Sequence, residues 1–277
     1  MSLPVLPHGA LSPPPNARHS KRPSDGPLAR ALEGLWLETQ KRIRNPRYLW
    51  SHYRLRRQFD LSFLQPHQFR LLVPPGVLTH CQQCENICCT GNHSRVSLNL
   101  IDIARLVDAN LEDFIQTGPH QSISHTPKRP AQRDAEASIF YRAFPVLVRD
   151  ETQTCALLKS NLQCGAFPHW PLSCERYPFA INLEEKTVFW AKGCGHQELH
   201  YEPEAQLRTR QLFHAALDAY NQRIKDAAML YLAMPELSEL GLLKYLHLKG
   251  DLGKKAKKCA VVSVESALTD DEVQRRK

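Results

Sequence analysis

From Leu28 to Arg44 the apolar residues Leu32, Leu35 and Ile43 recur at near-helical spacing, and Asn45-Pro46 ends the run, so the pattern predicts a helix. Asn99 stands just ahead of Leu100, Ile103 and Val107, and its short polar side chain is suited to cap a helix over Leu100–Val107. Leu111 to Ile115 reads as a further helical turn or two. The stretch from Glu202 to Leu232 is long and amphipathic, the clearest helix of the chain, and Pro235 closes it. Strand signals are short: Val96-Ser97-Leu98-Asn99, Phe144–Val148, and a β-hairpin in which Phe179–Leu183 and Thr187–Trp190 flank Glu184-Glu185-Lys186. Thr117–Pro130 is polar and proline-bearing and reads as a loop. The expected fold is α+β, mainly α: an irregular cysteine-rich metal-binding domain with a small β-hairpin and a long C-terminal helix.

No stretch approaches the roughly 18 uninterrupted apolar residues of a membrane span, so no membrane partner is expected. Residues 1–27 are rich in proline, serine and basic residues and bury too little apolar surface to offset their ordering entropy, which predicts disorder. A basic helical region over 28–77 follows, with Pro74-Pro75-Gly76 as a break. Residues 78–235 form the expected cysteine-cluster domain with its following helix, and 236–277 a partly disordered extension, loosely attached after Gly250.

Charge changes the picture of the amino-terminal part. The net charge is +8; residues 1–80 hold 12 basic and 4 acidic residues, and 81–277 hold 24 of each. Within this excess, residues 41–57 mix Arg47, Arg54, Arg56 and Arg57 with Tyr48, Trp50 and Tyr53. Such a segment could meet phosphate backbone and stack bases, or dock an acidic partner; a solvated helix face is the plainer reading. The amino terminus has no basic n-region or apolar h-region, so a cytoplasmic location is expected.

Nine cysteines are the loudest feature of the composition, and eight of them fall between Cys81 and Cys194. In a reducing compartment clustered thiols hold metals or do redox chemistry more often than they pair. Four lie in Cys81-Gln-Gln-Cys84-Glu-Asn-Ile-Cys88-Cys89; Cys155, Cys164, Cys174 and Cys194 follow, separated by 8, 9 and 19 residues. A C-x-x-C turn brings two sulfurs to one point, the device of zinc and iron–sulfur sites. Adjacent Cys88 and Cys89 point opposite ways in extended backbone, so they serve two centres, or one ligates while the other packs. Soft thiolates favour zinc or iron–sulfur clusters over magnesium or calcium, and spacing does not choose between those two. His80, His93, His169 and His196 could complete a shell, although eight cysteines make them dispensable.

The run from Cys81 to Cys89, followed by Val96-Ser-Leu-Asn-Leu-Ile-Asp102-Ile-Ala-Arg-Leu106 and Leu111-Glu-Asp-Phe-Ile115, resembles the opening of the YkgJ-type cysteine-cluster proteins, zinc- or iron-chelating domains. Cys155-Ala-Leu-Leu, Cys164, Pro171-Leu-Ser-Cys174, Tyr177-Pro178-Phe179 and Gly193-Cys194 continue the likeness, which covers about residues 78–200. The family's arginines are displaced here: its Arg-Pro is Trp170-Pro171, and the arginine after the third downstream cysteine is Glu175-Arg176. The resemblance implies a metal held by Cys81, Cys84, Cys88, Cys89, Cys155, Cys164, Cys174 and Cys194, with an iron–sulfur cluster (4Fe–4S) ahead of zinc. It also associates the chain with flagellin lysine N-methylases, an enzyme reading that would need S-adenosylmethionine. A radical enzyme of that cofactor would show C-x₃-C-x₂-C, whereas this chain has C-x₂-C-x₃-C and no glycine-rich loop after a strand. A zinc-stapled module that binds nucleic acid or an acidic partner is the remaining alternative. Asp102 reads either as an acceptor that orients ligands or as stabilising charge at a helix start.

Overall fold

The computed structural model describes residues 25–58, 61–72, 89–90, 96–117, 143–161, 163–190 and 203–259. In chain order the elements are α1 (Pro27–Ile43), a 3₁₀ turn at Pro46–Tyr48, α2 (Leu49–Gln58), β1 (Arg70–Leu72), α3 (Leu100–Asp108), β2 (Ile115–Gln116), β3 (Val146–Leu147), α4 (Leu172–Glu175), β4 (Phe179–Asn182), β5 (Thr187–Trp190), α5 (Pro203–Leu232) and α6 (Met234–Glu239). Residues 250–259 form a last helix, α7. The fold is α+β and mainly helical, with a small hairpin and a long helix towards its C-terminal end, as the pattern predicts. Of the predicted disorder of residues 1–27, residues 1–24 lie outside the described residues, as do the break at 74–76 and most of the loop at 117–130; residues 25–27 depart from it, since Asp25 pairs with Arg105 and Pro27 opens α1.

Two compact units divide the chain: residues 1–24, 62–98 and 147–222 form one, and 25–61, 99–146 and 223–277 the other. In the first, β4 and β5 pair antiparallel in the register Phe179↔Trp190 to Asn182↔Thr187. Asn182 shapes the turn by accepting, through Oδ1, the amides of Glu184 and Glu185 at 3.0 and 3.2 Å, an Asx turn. The hairpin is not alone. Strand β1 adds to β5 in parallel, Arg70↔Thr187 to Leu72↔Phe189, giving the order β1-β5-β4. Phe69, Leu71, Phe179 and Val188 make a buried cluster with Leu212, Phe213, Ala216 and Leu217, which recur at helical spacing on α5. Asn221, one turn further, accepts the Leu64 amide at 2.8 Å and donates to the Leu64 carbonyl at 3.1 Å, fixing the chain ahead of β1.

In the second unit α1 packs on α3, and Ala29, Leu32, Leu35 and Thr39 are its buried residues. Neither helix relies on its own sequence for all of its amino-terminal amides, four of which any helix leaves without intrahelical partners. The Asp108 carboxylate, at the end of α3, accepts the Leu28 and Ala29 amides of α1 at 3.0 and 2.9 Å. Residue 26 must be glycine for this contact, because a β-carbon there would lie 2.3 Å from Asp108 Cγ. The start of α3 is held in the same way: Asp226, fully buried on α5, accepts the Leu100 amide at 3.0 Å. Asp102 accepts the Asn99 amide at 2.9 Å within the cap, so the helix-start reading describes its observed contact. Arg105, also buried, grips Asp25 with two donors, Nε at 2.8 Å and Nη2 at 3.3 Å.

Helix α5 ends at Leu232, but Pro235 does not stop the helical path. It occupies the first turn of α6, where its missing amide costs nothing. The expected turn at Leu111–Ile115 is a 3₁₀ turn, Glu112–Phe114, running into β2. The expectation of a loosely attached tail after Gly250 is corrected for residues 250–259, which are helical, with Lys255 Nζ donating to the Tyr231 carbonyl at 3.0 Å. Among the described residues no helix is long and apolar enough to cross a membrane.

Arg42 on α1 reaches α6 in the same unit, donating to the Leu232 carbonyl at 2.8 Å and to Glu236 Oε1. Burial works to raise the Glu236 pKa, but the hydrogen bond and charge of Arg42 outweigh it and hold the carboxyl below its usual range. A carboxyl whose folded pKa is depressed stabilises the fold above the unfolded-chain pKa of about 4.3 and loses that contribution as pH falls through the folded value. Glu236→Gln is therefore expected to lower stability by about 1 kcal/mol at pH 7. The difference from wild type should close below about pH 3, measured by urea unfolding at both pH values.

Candidate metal centre

The cysteine-bearing stretch is built from short backbone bridges. Arg149 and Cys155 form one antiparallel bridge, and Leu158 and Cys164 another. The turn that precedes Cys155 is closed by Asp150, whose Oδ1 accepts the Thr152 hydroxyl at 2.7 Å and the Thr154 amide at 2.8 Å. Those two bonds pull the Asp150 carboxyl below its usual range. The backbone then doubles back, with Lys159 N–H to the Gln163 carbonyl at 2.9 Å and Gly165 N–H to the Leu157 carbonyl at 2.6 Å. A β-carbon at residue 165 would stand 3.0 Å from that carbonyl, so the glycine permits the tight approach that sets Cys164 beside the turn of Cys155.

The backbone amides of Leu157, near Cys155, and of Ala166 and Phe167, near Cys164, favour the thiolate, while the Phe167 amide itself bonds to the Cys164 carbonyl at 3.2 Å. The thiolate is the form that ligates metals. Cys89 joins them through the backbone: its carbonyl accepts the Cys155 amide at 2.7 Å. Burial pushes the Cys155 and Cys164 thiols up, the neighbouring cysteines add to this, and the amides only partly oppose it. Without a cation, burial disfavours the charged form of both thiols. A bound metal reverses the balance, because coordination deprotonates a thiol outright. Soft sulfur, turn amides and partial burial together fit zinc or iron.

Cys174 lies half-buried on α4, its amide bonded to the Pro171 carbonyl at 2.9 Å. The neighbouring Ser173 hydroxyl donates to the Ser97 carbonyl at 2.8 Å, tying α4 to the extended stretch after the first cysteine run. The Val96 carbonyl accepts the Leu147 amide at 3.1 Å, which leads that stretch to the chain entering Cys155. His169 is half-buried with its amide on the Ala166 carbonyl, and Phe179 packs edge-on against Trp190 in the sheet core at 5.9 Å between ring centres. The structure thus brings Cys89, Cys155 and Cys164 into one neighbourhood. Cys81, Cys84, Cys88 and Cys194, with His80, His93 and His196, lie outside the described residues. Among the described residues no group of three or more histidine, cysteine, aspartate or glutamate side chains is gathered closely enough to hold an ion. Missed from the sequence were the backbone donors of Leu157, Ala166 and Phe167; the glycine directly after Cys164 was the available signal.

In this mainly helical α+β chain the middle section brings Cys89, Cys155 and Cys164 together from separate stretches. Residues 80–195 match the family model CxxCxxCC, described as "Putative zinc- or iron-chelating domain". That segment carries the family's cysteine signature, and its description assigns metal chelation to it. No curated protein and no solved structure matches the chain.

Proposed function

We propose that the segment holds an iron–sulfur cluster, with ligands drawn from Cys81, Cys84, Cys88, Cys89, Cys155, Cys164, Cys174 and Cys194. The observation that carries this reading is the convergence of Cys89, Cys155 and Cys164: the Cys89 carbonyl accepts the Cys155 amide at 2.7 Å, and paired backbone bridges set Cys164 beside the turn of Cys155. Hydrogen bonds onto sulfur are a lever by which proteins set the potential of such clusters. Eight thiols are also twice the supply that one tetrahedral zinc takes. A bound cluster supplies one-electron transfer. The chain's own part is to bury Cys155, to soften charge on sulfur through the turn amides, and to hold the two turns by backbone bridges. A cytoplasmic location, where thiols stay reduced, suits this role.

Protein purified without oxygen is expected to be brown, absorbing near ~400 nm. It should contain iron and acid-labile sulfide in equal amounts, the ratio of a 4Fe–4S cluster. Colourless protein with stoichiometric zinc and no sulfide would overturn the cluster and leave a zinc-stapled domain.

A further inference from the structure

Between Thr39 and Gln58 the chain carries seven basic residues and no acidic one. The 3₁₀ turn at Pro46–Tyr48 runs directly into α2, and Arg47, Trp50, Tyr53 and Arg56 follow one another at three-residue intervals. Residues so spaced form one ridge along a helix. Trp50 is 70% exposed, Tyr53 51% and Leu49 66%, whereas Leu55 on the same helix is fully buried. The two rings stack on each other, 5.8 Å between centres and 25° between planes. Arg44, Arg47 and Arg56 are exposed, and among the described residues no carboxylate pairs with them. Their neighbours differ: Lys41 pairs with Glu38, and Arg42 pairs with Glu236 and lies over Tyr48.

We propose that this ridge binds single-stranded nucleic acid, bases stacking on Trp50 and Tyr53 while Arg44, Arg47 and Arg56 meet phosphates. Charge complementarity and ring shape select the occupant. A strand of phosphates supplies the missing negative partners, and unpaired bases supply flat faces for an exposed aromatic step. A duplex keeps those faces inside its own stack. An acidic peptide would answer the arginines and leave the paired rings without a matching surface. This inference goes beyond the metal centre and uses none of its residues.

The test is fluorescence anisotropy of the full-length protein, metal as isolated, titrated with a labelled oligouridine of about fifteen nucleotides. A micromolar Kd at low salt is expected, with a log Kd against log salt slope set by three phosphates at ~0.7 each, about 2 in magnitude. The double variant W50A/Y53A should bind about 30-fold more weakly, and R44Q/R47Q/R56Q should flatten the slope. Both variants should melt with wild type, since the altered side chains are exposed. The proposal is overturned by absent binding, by equal affinity for duplex, or by unchanged affinity in W50A/Y53A. Binding of poly-glutamate in place of RNA, lost in the same variants, would overturn it in favour of an acidic protein partner.

Discussion

Cys155→Ser and Cys164→Ser are each expected to deplete the isolated protein of metal and to lower its thermal stability by about 10 °C. Cys155 is buried and Cys164 half-buried in backbone turns held by the bridges Arg149↔Cys155 and Leu158↔Cys164, and serine supplies no soft thiolate at either place. A site filled at about a thousand times its Kd contributes about 4 kcal/mol to folding, and in a chain of this size 1 kcal/mol moves Tm by about 2–4 °C. Cys259→Ser is the control. That residue lies on α7, outside the cysteine turns, and its replacement should leave metal content intact and stability within about 0.5 kcal/mol. Metal analysis and melting curves on the soluble variants decide the matter. Wild-type metal content in both Cys155→Ser and Cys164→Ser would show that these turns hold no ligand.

Asp226→Ala is expected to cost about 3 kcal/mol. The carboxylate is fully buried and accepts the Leu100 amide at the first residue of α3. Alanine would strand that amide, worth about 1–3 kcal/mol, and leave a cavity besides. It would also remove a negative charge from a helix amino terminus, where it is favourable. Asp226→Asn keeps an acceptor of the same shape and should lose only about 1 kcal/mol, the difference between a charge-assisted and a neutral bond. Urea unfolding with an unchanged m-value is the measurement. Equal midpoints for wild type and Asp226→Ala would show that the amide finds another acceptor.

These two sites mark how far the sequence could be read. Helix α3 was legible because its signal is local: Asn99 ahead of Leu100, Ile103 and Val107. The hairpin was legible because its two apolar runs sit on either side of a polar turn. The carboxylates that cap α1 and α3 were not, because Asp108 and Asp226 are 80 and 126 residues from the amides they accept. Strand β1 was missed for the same reason. Three residues, of which Leu71 alone is fully buried, carry no period, and their partner is 117 positions away. At the metal centre the cysteines announced themselves by spacing, yet nothing local says that the Cys89 carbonyl meets the Cys155 amide. Pro235 taught a smaller lesson, since a proline that ends one helix can as readily open the next.

The interleaving of the two units has a consequence for anyone who would cut the protein down. Each unit is assembled from three separated stretches, so neither can be excised as a contiguous fragment. An insert limited to residues 80–195 would contain β4 and β5 without β1, and without Leu212, Phe213, Ala216 and Leu217. During vectorial synthesis the ribosome must pass residue 222 before the first unit has all of its parts.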